Sequence, residues 1–424
     1  MNRGTASGAA RPDRLHVFHG DTRVGDVFDT TPLAFEYADG WLADPAAFAL
    51  AAVPLQPGRQ DGPAVPAFFE NLLPEGELRL YLAQQKQAST LFSLLLEVAG
   101  DTAGAFVLLP AGAHPEPPRY EATSWPTLAA ALGKRSAAAI DLGGDARISL
   151  AGAQDKASLA IFDDGVPRLP RGTAPSTHIL KPDIRRLAKV WHSAANEALV
   201  MRTAALCGLP TAEVFYEPHT RACVVRRFDR LQRPDGTLAR LVQYDLCQLA
   251  GTLSERKYEK EGGPDLVACA ALIRRYSSRP ALDLRQFVQW LFFNLFTGNN
   301  DSHAKNLSIQ QHADGHIGLT PCYDLMCTRL YPGLSPHFAF AIGGETRPGA
   351  VGREQVAALA GALRMQPRFL LQQAADLAAR LPRAVDGAVA QIGPGLPPAA
   401  QDLAARLRQF IVSTTEKTAA RLQA

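Results

Sequence analysis

The sequence predicts an α+β fold: a small mixed α/β subdomain, then a β-rich lobe, then a larger helical lobe. Three observations carry that expectation. Residues 15–55 read as short strands with turns, and a second β-rich region holding one helix runs from about 146 to 230. Helical periodicity takes over beyond about residue 243. Between the two β-rich stretches, residues 111–127 are rich in proline, the mark of a linker or an irregular boundary. The chain has 424 residues, 47% hydrophobic and 20% charged, which suits roughly two or three folded domains and excludes a disordered chain. A net charge of only +3 is too slight to make nucleic acid the main ligand.

The elements follow in order. Residues 1–14 are expected to form a flexible N-terminus. Leu15-His-Val-Phe, a turn at Gly20-Asp21 and Arg23-Val-Gly-Asp-Val-Phe-Asp29 read as a hairpin. Ala34-Phe-Glu-Tyr followed by Asp39-Gly40 reads as another strand and turn. After Pro66, the spacing of Phe68, Phe69, Leu72, Leu73, Leu78, Tyr81 and Leu82 is helical. These elements make up the first subdomain, 15–127. The β-rich lobe, 128–242, holds candidate strands at Arg147–Leu150, Ala157–Phe162, Thr177–Lys181, Glu213–Tyr216 and Ala222–Val225. Its one helix runs from about Val190 to Cys207 and stops at Gly208 and Pro210. The helical lobe, 243–424, contains the apolar run Phe287–Phe296. Near its end Leu403, Leu407, Phe410 and Ile411 form a stripe on one helix face.

Several function classes drop out. The six cysteines form no C-x-x-C pair, so buried free thiols in a reducing cytoplasm are the better reading. The N-terminus lacks the apolar core of a signal peptide. The run Phe287–Phe296 is about half a membrane span and contains Gln289 and Asn294, so no membrane partner is expected. His312 and His316 have no thiolate or carboxylate partner at metal-site spacing, and neither Ser149 nor Ser302 lies in a G-x-S-x-G elbow.

The densest polar cluster is Thr297-Gly-Asn-Asn-Asp301-Ser-His303-Ala-Lys-Asn306-Leu-Ser-Ile, directly after the apolar run. An Asp, an Asn five residues later and then an apolar strand is the spacing of a protein-kinase catalytic loop. A carboxylate there accepts the proton of an attacking hydroxyl, and a neutral amide oxygen ligates Mg²⁺ without adding charge. Asp324, eighteen residues after Asn306, is placed to supply the second metal oxygen. A polar turn with capping residues is the alternative for Asp301 and Asn306 taken alone. Lys181, at the end of an apolar strand, could reach nucleotide phosphates, and Glu197 on the next helix could orient it. Lys156 is the rival lysine. The segment Leu150-Ala-Gly-Ala-Gln-Asp155 lacks G-x-G-x-x-G, but its small residues can present backbone N–H groups to phosphates. The layout is then a protein-kinase-like two-lobe fold with an added N-terminal subdomain.

Taken together, Ile148–Lys156, His178–Lys181, Asn196-Glu197, Arg227-Phe-Asp-Arg230, Tyr244–Gln248, Lys257-Tyr258 with Gly262-Gly-Pro264, Gly298–Ser308 and Leu319–Asp324 resemble the HipA-type serine/threonine kinase toxins of bacterial toxin–antitoxin systems. Phe68-Phe-Glu-Asn-Leu-Leu-Pro74 looks like that family's N-terminal subdomain. The resemblance implies an ATP- and Mg²⁺-dependent protein kinase. By position it makes Asp301 the catalytic base, Asn306 and Asp324 metal ligands, Lys181 a phosphate holder and His303 a member of the catalytic loop. It makes Ala151, Gly152, Ala153 and Gln154 the phosphate loop. Arg227, Phe228 and Asp229 then fall at the nucleotide site, with Phe228 and Asp229 on adenine and ribose. Ser149 matches a serine that such kinases autophosphorylate. Arg226 departs from the glutamate expected at the hinge. The resemblance further implies a HipB-type helix-turn-helix antitoxin, contact with DNA mainly through it, and a protein substrate such as an aminoacyl-tRNA synthetase. A small-molecule phosphotransferase and a nucleotide-binding corepressor are the competing readings.

Overall fold

The computed structural model describes residues 12–98, 100–134, 156–185 and 187–424. β1 (Arg14–His19) and β2 (Thr22–Phe28) form the expected hairpin. It turns at Gly20, whose φ of +59° is a left-handed conformation that only glycine adopts freely. β3 (Ala34–Tyr37) pairs with β2 and β4 (Phe106–Pro110) with β1, giving an antiparallel sheet of order β3-β2-β1-β4. Asp39-Gly40, expected as a turn, instead opens the short helix Asp39–Leu42, which buries Trp41 against Phe48 and His19. The helix Ala64–Glu70 lays Phe68 and Phe69 on the sheet, where they meet Phe106 and Phe35 edge-on or tilted. Each fully buried ring of this kind contributes roughly 1.5–3 kcal/mol.

The second lobe is a six-stranded sheet. Its strands are β5 (Arg119–Ala122), β6 (Ala157–Ile161), β7 (Pro167–Arg171), β8 (His178–Pro182), β9 (Val214–Glu217) and β10 (Ala222–Arg226). They lie in the order β5-β7-β6-β8-β10-β9. β5 falls within the stretch assigned to the first subdomain, so the boundary expected at residue 127 moves upstream of it. The cause is burial: the helix Trp125–Lys134 puts Leu128 and Leu132 into a core with Leu159, Leu180 and Val224 of this sheet. The prolines mark the crossing between domains, and β5 lies beyond it. The helix Ser193–Leu206 then packs under β10, with Asn196 and Glu197 buried.

The third lobe is built around the helix Pro280–Thr297, whose Phe287, Trp290, Phe292, Phe293 and Phe296 are wholly buried. The long helices Pro367–Ile392 and Pro398–Gln423 pack on it. The stripe of Leu403, Leu407 and Ile411 is buried, while Phe410 is half-buried under the Arg329 guanidinium. Of the short strands that follow, only the one after Asn306 is expected from the sequence. β11 (Arg230–Gln232) pairs with β12 (Leu238–Arg240), and β13 (Gln243–Asp245) joins β14 (Ser308–Gln311) and β15 (Ile317–Leu319) in one sheet. The six cysteines are buried free thiols. Among the described residues, no helix is long and apolar enough to cross a membrane.

A buried ion network joins the first domain to the second lobe. Asp101 accepts from Arg227 at 3.2 Å and Arg230 at 2.9 Å. Asp229 takes Arg227 Nη2 at 2.7 Å and the Gly104 backbone N–H at 2.7 Å. Burial opposes the charge on Asp101, yet the three nearby guanidiniums, Arg227, Arg230 and Arg240, hold its carboxyl down at about 2. Removing one partner strands the others in a dry interior. Asp229→Ala is therefore expected to lower the unfolding free energy by about 3–5 kcal/mol, read from a denaturant titration. A loss below about 1 kcal/mol, typical of an exposed pair, would contradict the assignment of this network as a buried weld.

Candidate active site

The β-rich and helical lobes enclose a cavity of about 830 Å³. The apolar helix Pro280–Thr297 delivers its polar loop to this cavity. The helix stops at Gly298, with φ +70°; a Cβ there would lie 2.6 Å from the Phe410 ring. The turn is then knitted by amides. Asn299 Nδ2 donates to Asn294 Oδ1 at 2.8 Å, and Asn299 Oδ1 accepts the Asp301 N–H at 3.3 Å. The Asn300 N–H donates to Thr328 Oγ1 at 2.8 Å. Asp301 is exposed on the cavity side, and its Oδ1 accepts the Tyr258 hydroxyl at 2.5 Å. Burial and the Asp301 charge together push the Tyr258 phenol far above its ordinary value, so it stays a donor.

Lys181, on β8, crosses to both carboxylates the sequence pairs with it. Its Nζ donates to Glu197 Oε1 at 2.6 Å and to Asp324 Oδ1 at 2.8 Å. Burial disfavours its charge, but Asp324 and Glu197 outweigh burial and hold the ammonium well above its usual value. Burial likewise works against Asp324, and Lys181 and Lys156 hold its carboxyl ionised, well below the carboxylate range. Asp324 has φ +58°, a strained conformation for a non-glycine residue of the kind found at functional sites. Asn306 Nδ2 lies 3.5 Å from the Asp324 carbonyl, so the two candidate oxygen ligands share one wall of the cavity. Lys156, the rival lysine, lines the same cavity, and burial beside Lys181 pushes its ammonium down to about 8.

His303 is buried next to Asp301. Burial and the neighbouring Lys257 ammonium lower its imidazole to about 4, leaving it neutral near pH 7. Asn300 Oδ1, Ser302 Oγ and His303 Nδ1 are buried without a hydrogen-bond partner. Among the described residues these three orphaned polar atoms fall within four residues of one loop, a costly arrangement that calls for a functional reason.

The other expected residues are placed as follows. Phe228 lines the cavity with its ring against Tyr323 at 5.4 Å, but the Asp229 carboxylate is spent on Arg227, Arg230 and Gly104. Arg227 and Asp229 nevertheless line the same cavity as Phe228, so the junction described above reaches its wall. Arg226 is exposed and pairs with Glu213 at 3.0 Å. Ser149, Ala151, Gly152, Ala153 and Gln154 lie outside the described residues. Sequence reasoning gave no role to Lys305, which is buried inside the loop and donates to Asn71 Oδ1 at 2.5 Å. A lysine between two polar catalytic candidates, and Glu70 and Asn71 embedded in the apolar Phe68–Pro74 segment, were the available signals.

Comparison with known proteins fits this geometry. A HipA-like C-terminal domain model matches residues 148–388, and a HipA N-terminal domain model matches residues 15–109. The chain is 30% identical over 414 residues to the serine/threonine-protein kinase toxin HipA of Shewanella oneidensis, covering 90% of each. It is 38% identical over 337 residues to a kinase-named protein of Sinorhizobium fredii, Y4mE, covering 76% of this chain and 77% of that one. A chain of the solved Shewanella oneidensis MR-1 complex of HipA, HipB and operator DNA superposes with a TM-score of 0.81 at 27% identity, over 96% of this chain and 97% of that one. With a two-lobe fold, a Lys–Glu–Asp triad across the cleft and matches to both domains, the chain belongs to the HipA family of serine/threonine-protein kinase toxins.

Proposed function

We propose that the protein transfers the γ-phosphoryl group of Mg·ATP to a serine or threonine of a protein substrate in the cytoplasm, as the toxin of a pair with a HipB-like antitoxin. The observation that carries the reading is the Lys181 ammonium held at once by Glu197 and Asp324 across the cavity from Asp301. An ion-paired lysine with a metal-site Asp opposite a catalytic-loop Asp is the constellation phosphoryl transfer requires.

The donor set fits magnesium. Asp324 and Asn306 offer hard oxygens only, and Asp324 keeps about half of its side chain exposed towards the cavity. Mg²⁺ takes few protein ligands and completes its shell with phosphate oxygens and water, so two residues suffice. When bound, the ion would neutralise charge developing on the transferring phosphoryl group. The chain's own residues do the rest. Asp301 accepts the proton of the substrate hydroxyl through the carboxylate that Tyr258 now orients. Lys181 offers its ammonium to phosphate oxygens while Glu197 keeps it in place. Neutral His303 packs the loop without adding a second cation beside Lys257.

The substrate is proposed to be translation-related, such as an aminoacyl-tRNA synthetase, with DNA reached mainly through the antitoxin. Ser149 is proposed as an inhibitory autophosphorylation site, because roughly −1.5 to −2 units of charge beside an anionic triphosphate would repel it. The test is cellular. Induced alone, the protein is expected to arrest growth, and co-expression of a small helix-turn-helix protein encoded beside it to relieve the arrest. Harmless overexpression of a protein that is active in vitro would favour a small-molecule acceptor instead.

A further inference from the structure

We infer that the N-terminal domain is part of the catalytic machinery, with Glu75 as the positioning residue that holds the Asp301–Asn306 loop in its working geometry. The inference rests on Asp301 being the base. Glu75 precedes the helix Gly76–Gln85 at its N-cap and makes no capping bond to it. Its carboxylate turns away, is buried, and reaches the wall of the cavity.

There it meets two lysines from separate elements. Oε2 accepts from Lys257 at 2.7 Å, and Oε1 lies 3.4 Å from Lys305. Lys305 belongs to the turn Ala304–Asn306, between the base and the amide ligand, and Asn71 and Asp245 bind its ammonium as well. Lys257 precedes Tyr258, whose hydroxyl orients Asp301 and whose ring abuts His303 at 5.1 Å. One carboxylate thus fixes the loop from beneath through Lys305 and from the side through Lys257 and Tyr258. Burial opposes its charge, but the two lysines keep Glu75 ionised, at about 2. Without it, Lys257 would lose its carboxylate partner and Lys305 one of its two, and the repulsion between the two ammonium groups would spread the loop. The ion network at Asp101 and Asp229 already joins the domains elsewhere, so a simple weld needs no acid at the base of the catalytic loop.

The experiment compares the full-length protein with Glu75→Gln, Glu75→Asp, Glu75→Gln/Lys257→Met and Asp301→Asn. Transfer of labelled phosphate from Mg·ATP to protein is read together with KM for ATP and the thermal midpoint. Glu75→Gln is expected to lower kcat by about 10–100-fold, the effect of misplacing a reacting group by about 1 Å. KM for ATP should change less than kcat, because Lys181, Glu197 and Asp324 are untouched. Glu75→Asp should recover part of the rate. The double variant removes one buried charge of each sign, so it keeps the question answerable if Glu75→Gln does not fold; the same kcat deficit is expected in it. A folded Glu75→Gln or double variant at the wild-type rate, beside an inert Asp301→Asn, overturns the positioning role alone. So does a rate loss that only mirrors the unfolded fraction. Asp301→Asn at the wild-type rate would instead overturn the base assignment and this inference with it.

Discussion

Asp301→Asn is expected to lower phosphoryl transfer by on the order of 10²–10⁴ and to leave Mg·ATP affinity within about twofold of wild type. The substitution keeps the shape of the side chain and its bond from Tyr258, but an amide cannot accept the hydroxyl proton. Nothing that faces the triphosphate changes, because Lys181 and Glu197 lie on the opposite lobe, bonded to each other at 2.6 Å. The check is a pair of measurements on one preparation: the rate of labelled-phosphate transfer, and a nucleotide titration. Loss of both together would mean that Asp301 binds nucleotide and is not the base.

Asp324→Asn is expected to have the larger effect and a different signature. The carboxylate both faces the proposed metal and bonds Lys181 at 2.8 Å. Its loss should weaken Mg·ATP binding by at least about 10–100-fold, the size of losses seen even for residues behind a metal ligand. Transfer should fall further still. Affinity for ATP in EDTA should be unchanged or higher, since one negative charge facing the triphosphate has gone and like charges repel. The opposite response of metal-loaded and metal-free nucleotide separates a ligand from a packing residue. Equal weakening of both would contradict the metal role.

The parts of this architecture that local chemistry dictates were readable. An apolar run ending in Gly298 and three amides or acids announces a buried helix that presents a loop, and the helix Pro280–Thr297 does that. The strand carrying Lys181 and the helix carrying Glu197 were legible from the breakers at their ends, Pro182 for the strand and Gly208 with Pro210 for the helix. What escaped depends on partners far away in the chain. Asp229 looks like a free acid near the hinge; only the fold shows that Asp101 and Gly104, more than a hundred residues upstream, claim its neighbours and its oxygens. β5 was invisible because its four residues are mostly exposed and follow a proline-rich crossing. β13 is three residues long, too short for any period to register. Glu75 carries no motif at all. Its meaning comes from Lys257 and Lys305, some two hundred residues later.

The most direct measurement incubates wild type and Asp301→Asn with γ-labelled Mg·ATP and proteins from the host, then separates protein from small molecules and identifies the labelled chains by mass spectrometry. Wild type is expected to place label on serine or threonine of at least one host protein and on itself, with Ser149 among the modified residues. Asp301→Asn is expected to place none, while still binding ATP. Label found only in the small-molecule fraction, or equal protein labelling by both enzymes, would contradict a protein kinase working through Asp301.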